Sequence, residues 1–199
     1  AFGQHVERMW TLAKLGDGAG AAKTVLALET QLAKIQWDKV ERRDPVKRYN
    51  PYPKAQLATL APGIAWPAFL DAVGFASLDT VLVSQPTYLS ALDGLLRRES
   101  LAHWKTWLKW KLLSSRAEVL PKAYADESFA FFGRQLNGIA ENRPRWKRGV
   151  AMVESALGEA VGQVYVARHF PPENKARMEV LVQNLIRAYG PAIDSLEWM

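Results

Sequence analysis

Three histidines, His5, His103 and His169, are the only imidazoles in the 199 residues, and cysteine is absent. A catalytic zinc would draw on such residues. A His-Glu-x-x-His pair on a helix puts two imidazoles one turn apart and supplies a glutamate as general base. None of the three histidines stands in that pattern. His169 and Glu173 have the right separation, but Phe170-Pro171-Pro172 lies between them. Proline removes a helical amide and clashes with the preceding turn, so the two side chains cannot share one helix face. Zinc sites need three or four converging ligands, and no metal ligand is assigned. The lack of cysteine also removes disulfides, thiolate sites and cysteine nucleophiles.

Other chemistry is equally sparse. Residues 16–24, Gly-Asp-Gly-Ala-Gly-Ala-Ala-Lys-Thr, approximate a phosphate-binding loop. That motif needs a glycine before the lysine and a preceding strand. Ala22 occupies the glycine position and the residues before Gly16 have a helical pattern, so a helix-to-helix loop is expected. Asp126-Glu127 are adjacent carboxylates by chance spacing. No serine sits in a Gly-x-Ser-x-Gly turn. Trp104, Trp107 and Trp110 could stack bases or sugars with neighbouring lysines on phosphates. At helical spacing such a stripe is expected in a core, where indoles bury large apolar area. No catalytic, cofactor-binding or metal residue is therefore assigned.

The elements that would position any site are helical. Val25, Leu28, Leu32 and Ile35 recur at three- and four-residue spacing, which predicts a helix ending near Asp44, before Pro45. Residues 45–53 carry three prolines and read as an extended crossing segment. Short helices are expected over residues 54–60 and 66–74. Residues 78–83 contain β-branched positions that could make a short strand. Pro86 opens a helix over residues 87–99. Residues 101–116 are amphipathic, with Trp104, Trp107, Leu108 and Leu112 on one face and Trp110 off that stripe. Phe129, Phe132 and Leu136 begin another pattern that stops at Asn137-Gly138. Pro144 precedes a helix running to about His169. Phe170-Pro171-Pro172 breaks it, and Glu173 suits the positive end of the next helix. Met178, Leu181, Val182, Leu185, Ile186 and Tyr189 form the cleanest stripe, with Gly190-Pro191 as its stop.

Composition agrees with a packed chain: 49% hydrophobic and 11% aromatic, with eight tryptophans. The net charge of +6 and pI near 9.6 raise nucleic acid, anionic lipid or an acidic partner. The densest clusters are Arg42-Arg43 with Lys47-Arg48, and Arg143 with Arg145, Lys147 and Arg148. The remaining charge is spread, which favours a solvated basic surface. No leader pattern is visible at the N-terminus. The most apolar stretch, residues 57–83, is interrupted by Pro62, Gly63, Pro67 and Asp71, so no membrane span is expected.

Several segments, in order, resemble the M13, neprilysin-like zinc metallopeptidases. Phe2-Gly3 resembles the close of a family helix. Residues 27–33 are similar to a Leu-Glu-x-x-Leu-Ala helix. Arg43-Asp44-Pro45 with Tyr49-Asn50 resembles a crossover of bacterial members. Arg145-Trp146-Lys147-Arg148 is similar to a helix start. Val161-Gly162, Tyr165-Val166 and Phe170-Pro171 resemble a further segment, with Val164 in place of its leucine. Leu196 with Trp198-Met199 is similar to a boundary motif. The actinobacterial branch is the nearest.

The resemblance implies an all-α fold: a multi-helix bundle with Pro-rich connections, forming one helical domain over residues 1–199. It implies the non-catalytic, substrate-enclosing lobe of a zinc metalloendopeptidase that cleaves small peptides. Zinc would belong to the parent enzyme, and no cofactor to this fragment, which is expected to be inactive alone. The expected partners are the catalytic lobe of the same polypeptide and a peptide substrate, with a homodimer open to the isolated fragment. Neither nucleic acid nor a membrane segment is expected. The stop at Trp198-Met199 reads as a cut at a lobe boundary. Arg43, Asp44, Tyr49 and Asn50 are expected to serve turn and cap geometry in preference to the alternative, substrate contact. A soluble bacterial protein, cytoplasmic or exported, is implied. The rival readings are a free-standing helical interaction module and a basic nucleic-acid binder.

Overall fold

The computed structural model describes residues 1–198. Met199, the last residue of the boundary motif, lies outside the described residues. The chain divides into two compact units, residues 1–140 and residues 141–199, and each is described by itself.

The first unit is built on α1 (Phe2–Leu12), α2 (Gly18–Ile35) and a later helix, α7 (Leu101–Arg116). Val6, Met9 and Trp10 fall on one face of α1 and are buried with Ala21, Ala22 and Val25 of α2, Trp110 of α7, and Ala117. Small residues let α1 and α2 approach closely. A Cβ on Gly18 would lie 3.0 Å from the Glu7 carbonyl oxygen, so any side chain there would press on the α1 backbone. The connection is tightened by the Trp10 indole, which donates to the Leu15 carbonyl at 3.1 Å. Phe2 opens α1, so Phe2-Gly3 begins this helix; the resemblance to a helix close is not realised.

Helix α2 ends at Ile35 rather than near Asp44. The physical reason lies in competing partners. The Trp37 amide donates to Gln85 Oε1 at 3.0 Å, and its indole to Thr87 Oγ1 at 2.6 Å. The Asp38 carboxylate accepts from the amides of Val40 and Glu41 at 2.7 and 2.9 Å. Such local side-chain bonds offer the backbone an alternative to the helix. A 3-10 turn follows at Glu41–Arg43. The segment expected to be extended instead begins with a four-residue helix, α3 (Pro45–Arg48), because Asp44 caps the Val46 and Lys47 amides and Pro45 suits the first turn.

Only then does the chain extend. Strand β1 (Pro51–Pro53) pairs antiparallel with β2 (Thr80–Leu82) in the register Pro51↔Leu82, Tyr52↔Val81, Pro53↔Thr80. Between the strands lie α4 (Leu57–Leu60), after a 3-10 turn at Lys54–Gln56, and α5 (Trp66–Ala72). Leu57, Ala61, Trp66, Leu70 and Val83 form a second small core over this hairpin. Helix α6 (Pro86–Arg98) follows. Its buried Asp93 accepts from the Gly63 amide at 2.5 Å and pairs with Arg97 at 2.9 Å.

The unit closes with α8 (Lys122–Ser128), which runs into a π-helical stretch, Phe129–Leu136. The wider turns carry Phe131 and Gly133 inward. Gly138, at φ +67, ends the run where the turn was expected.

The second unit holds α9 (Arg145–His169) and α10 (Pro172–Asp194). Leu157 interrupts α9 with non-helical φ −134 and ψ 26. Pro191 does not stop α10, which continues to Asp194; the missing proline amide costs only one bond, to the carbonyl four residues back. No residue of either helix is buried. Every valine, leucine, isoleucine, methionine, tyrosine and tryptophan on them is at least 38% exposed. The stripe Met178, Leu181, Val182, Leu185, Ile186 and Tyr189 is thus an apolar face that these residues leave open. No helix of the described residues is long and apolar enough to cross a membrane.

Candidate functional site

The residues that tempted a chemical reading have local explanations. Asp17 caps α2, accepting from the Gly20 amide at 2.9 Å. Its carboxylate occupies the position at the helix N-terminus that a phosphate would need. Gly16 takes φ +88 in the connecting loop, in line with a helix-to-helix turn. His169 ends α9 beside Tyr165, with ring centroids 5.0 Å apart, and Glu173 lies beyond the break. Among the described residues no group of three histidine, aspartate or glutamate side chains converges.

The structure builds a buried polar cluster that the sequence did not announce. His5 of α1 is fully buried. Its Nδ1 lies 2.8 Å from Glu127 Oε1 of α8, and Arg8 Nε reaches the same oxygen at 2.8 Å. The imidazole stacks on Phe131 at 4.6 Å and 9°, with Trp110 edge-on at 5.4 Å. His5 Nε2 is buried without a hydrogen-bond partner among the described residues. A neutral ring with its proton on Nδ1, donating to Glu127, satisfies every donor. Protonating Nε2 would bury an N–H against aromatic carbon. Burial accordingly lowers the His5 pKa below 6.5, outweighing the hydrogen bond and attraction from Glu127. His5 and Glu127 are 122 residues apart, so no motif could have joined them.

Two of the cavities among the described residues lie in the first unit. The larger, about 700 Å³, lies where α2, α6 and α7 meet, with Leu32, Leu92, Leu96, Trp104, Trp107 and Leu108 among its lining. Trp104 and Trp107 meet edge to face at 5.7 Å. The Trp107 indole donates to Glu29 at 3.0 Å, and Lys111 lies 5.4 Å over its ring. At the other rim Glu99 accepts from Gln31 at 2.8 Å and pairs with His103 at 3.0 Å, which lowers its pKa. The stripe therefore divides. Trp104 and Trp107 are half-buried walls of a cavity, Leu108 and Leu112 are 58% and 62% exposed, and Trp110, off the stripe, is the core residue. The chemistry of the cavity suits an apolar group.

The smaller cavity, about 440 Å³, is lined by Lys39, Arg42, Arg43, Arg48, Ser84 and Gln85. It gathers Arg42, Arg43 and Arg48 of one basic cluster, together with Lys39, onto one concave surface. In the same crossover Asp44 caps α3, and Asn50 donates its side-chain amide to the Lys47 carbonyl at 2.6 Å. Both residues take part in turn geometry. Arg43 closes the 3-10 turn, its amide on the Val40 carbonyl at 3.0 Å, and also lines the cavity; Tyr49 is the C-cap of α3 and is 69% exposed.

A sequence profile described as peptidase family M13 matches residues 1–199. Endothelin-converting enzyme 1 of Bos taurus is 26% identical over 193 residues, covering 92% of this chain and 26% of that protein. Neprilysin-2 of Drosophila melanogaster is 25% identical over 204 residues, covering 92% and 26%. Among solved structures, Mycobacterium tuberculosis zinc metalloprotease Zmp1 in complex with inhibitor is 40% identical with TM-score 0.89, covering all of this chain and 31% of that one. The open state of the same protease is 42% identical with TM-score 0.87, covering all of this chain and 32% of that one. The chain thus spans about a quarter of the length of the curated relatives.

Proposed function

The chain belongs to peptidase family M13, and on that premise we propose that it is the non-catalytic helical lobe of a zinc metalloendopeptidase that encloses small peptide substrates. The zinc ligands and general base lie, in this reading, in another part of the parent polypeptide. The lobe contributes shape: it restricts access to a chamber and presents helices to the catalytic lobe.

The observation that carries this reading is the exposure of the apolar side chains on α9 and on α10. Seventeen large apolar side chains stand at least 38% exposed along two helices. Apolar exposure on this scale is unusual for a monomeric soluble protein, and a second lobe of the same chain would cover these side chains. A free-standing helical module has no comparable support, because it should seal this surface.

The experiment separates lobe from enzyme. The full-length protein should hydrolyse short peptides in preference to folded proteins and lose activity to a zinc chelator. The polypeptide of residues 1–199 should show neither activity nor retained zinc after chelation and dialysis. It should self-associate in sedimentation, and mixing it with the remaining polypeptide should dissociate that assembly. Stoichiometric zinc held by residues 1–199, or a monomer with no response to a hydrophobic dye, would overturn the proposal.

A further inference from the structure

We propose that the basic cavity of the first unit binds a soluble phosphoryl anion of pyrophosphate or phosphate-monoester size. This goes beyond the peptidase reading and does not depend on it.

The cavity is made by two separate stretches. Lys39, Arg42 and Arg43 surround the 3-10 turn, Arg48 ends α3, and Ser84 and Gln85 lead from β2 into α6. None of the lining residues is acidic. The nearby carboxylates are engaged elsewhere. Asp38 accepts from the Val40 and Glu41 amides, which lowers its pKa. Asp44 accepts from the Val46 and Lys47 amides, and Glu41 pairs with Lys47 at 3.3 Å. Among the described residues, Lys39, Arg42, Arg43 and Arg48 form no ion pair, in contrast to Lys47 between them.

The two neutral lining residues reinforce the charge. Gln85 Oε1 is occupied by the Trp37 amide at 3.0 Å, which leaves its NH2 group as the free end. The Ser84 hydroxyl is a further donor. The surface thus offers three guanidinium forks, an ammonium, an amide and a hydroxyl. Arginine forks bind carboxylates and phosphates bidentately. Three forks present more donors than one carboxylate has oxygens to receive, whereas a diphosphate or phosphate ester supplies several. The volume of about 440 Å³ exceeds that needed by a single small ion and falls within the range of ligand pockets.

The test is calorimetric titration of inorganic pyrophosphate into the full-length protein at physiological ionic strength, where exposed charges beyond about 8 Å are screened. Wild type should bind, and citrate should bind more weakly. Arg42→Ala and Arg48→Ala should each weaken binding about tenfold, and the double variant about a hundredfold, at roughly 1.4 kcal/mol per factor of ten. Lys147→Ala, in the other basic cluster, should bind like wild type. These arginines are exposed, and unchanged thermal melts would show that the variants fold. Pyrophosphate binding equal in wild type and the double variant would place it elsewhere, for example at the catalytic zinc, and overturn the proposal. So would no binding, or binding to phosphatidylglycerol vesicles without binding to pyrophosphate.

Discussion

Replacing Glu127 by alanine should unsettle the first unit more than an ordinary surface change would. One carboxylate oxygen receives both the His5 Nδ1 proton and the Arg8 Nε proton, each at 2.8 Å. Arg8 is half exposed, so its loss is largely recovered by water and is worth about 0–1 kcal/mol. His5 is fully buried. With Glu127 gone its N–H has no acceptor, and a buried unsatisfied donor costs about 1–3 kcal/mol. The sum is about 1–4 kcal/mol, or roughly 2–4 °C of melting temperature for each kcal/mol in a chain of this size. Glu127→Gln keeps a carbonyl oxygen for His5 and should lose about 1 kcal/mol or less. The assay is urea unfolding followed by tryptophan fluorescence, with Trp110 edge-on to the His5 ring as reporter. The pH dependence has a defined sign. His5 has its folded pKa below 6.5. Between the two values the unfolded chain carries a proton that the folded chain does not, so stability present above pH 6.5 is lost as pH falls through the folded value. His5→Gln should remove that component. A Glu127→Ala variant within about 0.5 kcal/mol of wild type, or a pH slope unaltered in His5→Gln, would refute the reasoning.

Three further outcomes are expected. Gly133→Ala places a Cβ on the Phe129 ring within the π-helical stretch; the ring must move, at about 1–3 kcal/mol, read as a lower urea midpoint. Leu28→Ala removes a side chain that is 1% exposed in α2, and should cost about 2–5 kcal/mol by the same unfolding assay. Asp44→Ala deletes the cap of α3 at about 1 kcal/mol. Because α3 carries Arg48 into the basic cavity, this variant should also weaken pyrophosphate binding in the titration while leaving all four cations in place.

What could be read in advance tracked the range of the forces involved. Helix α7 has its expected limits because Ser100 caps it and its amphipathic pattern is local. Pro86 opens α6 and Phe170-Pro171-Pro172 separates α9 from α10 by restrictions built into the proline ring. The end of α2 was illegible because Trp37 leaves the helix for Gln85 and Thr87, 48 and 50 residues away. The tryptophan stripe misled in the same way. Periodicity identifies a shared face, but whether that face meets a neighbour depends on which helix lies opposite. Trp110 turned out to be the core residue because Phe2 and His5 of α1 lie against it. The basic cluster could be seen as charge, but Ser84 and Gln85 enter its cavity only through the strand pairing of Pro51–Pro53 with Thr80–Leu82. That no His-Glu-x-x-His pair is present can be read from the three histidines, whereas the His5–Glu127 bond required the fold.

The interruption at Leu157 bears on autonomy. Uninterrupted, a helix the length of Arg145–His169 would draw on a long run of cooperative hydrogen bonds. The break leaves a segment of about a dozen residues on each side, at or below the roughly 12–15 residues at which isolated helices become marginal in water. Neither segment buries a residue. The helicity of this region is therefore conditional: its two halves can melt separately, and an apposed surface would raise the helical content of each by covering its apolar side. Amide exchange along residues 145–169 would show two protection levels rather than one, with the boundary at Leu157.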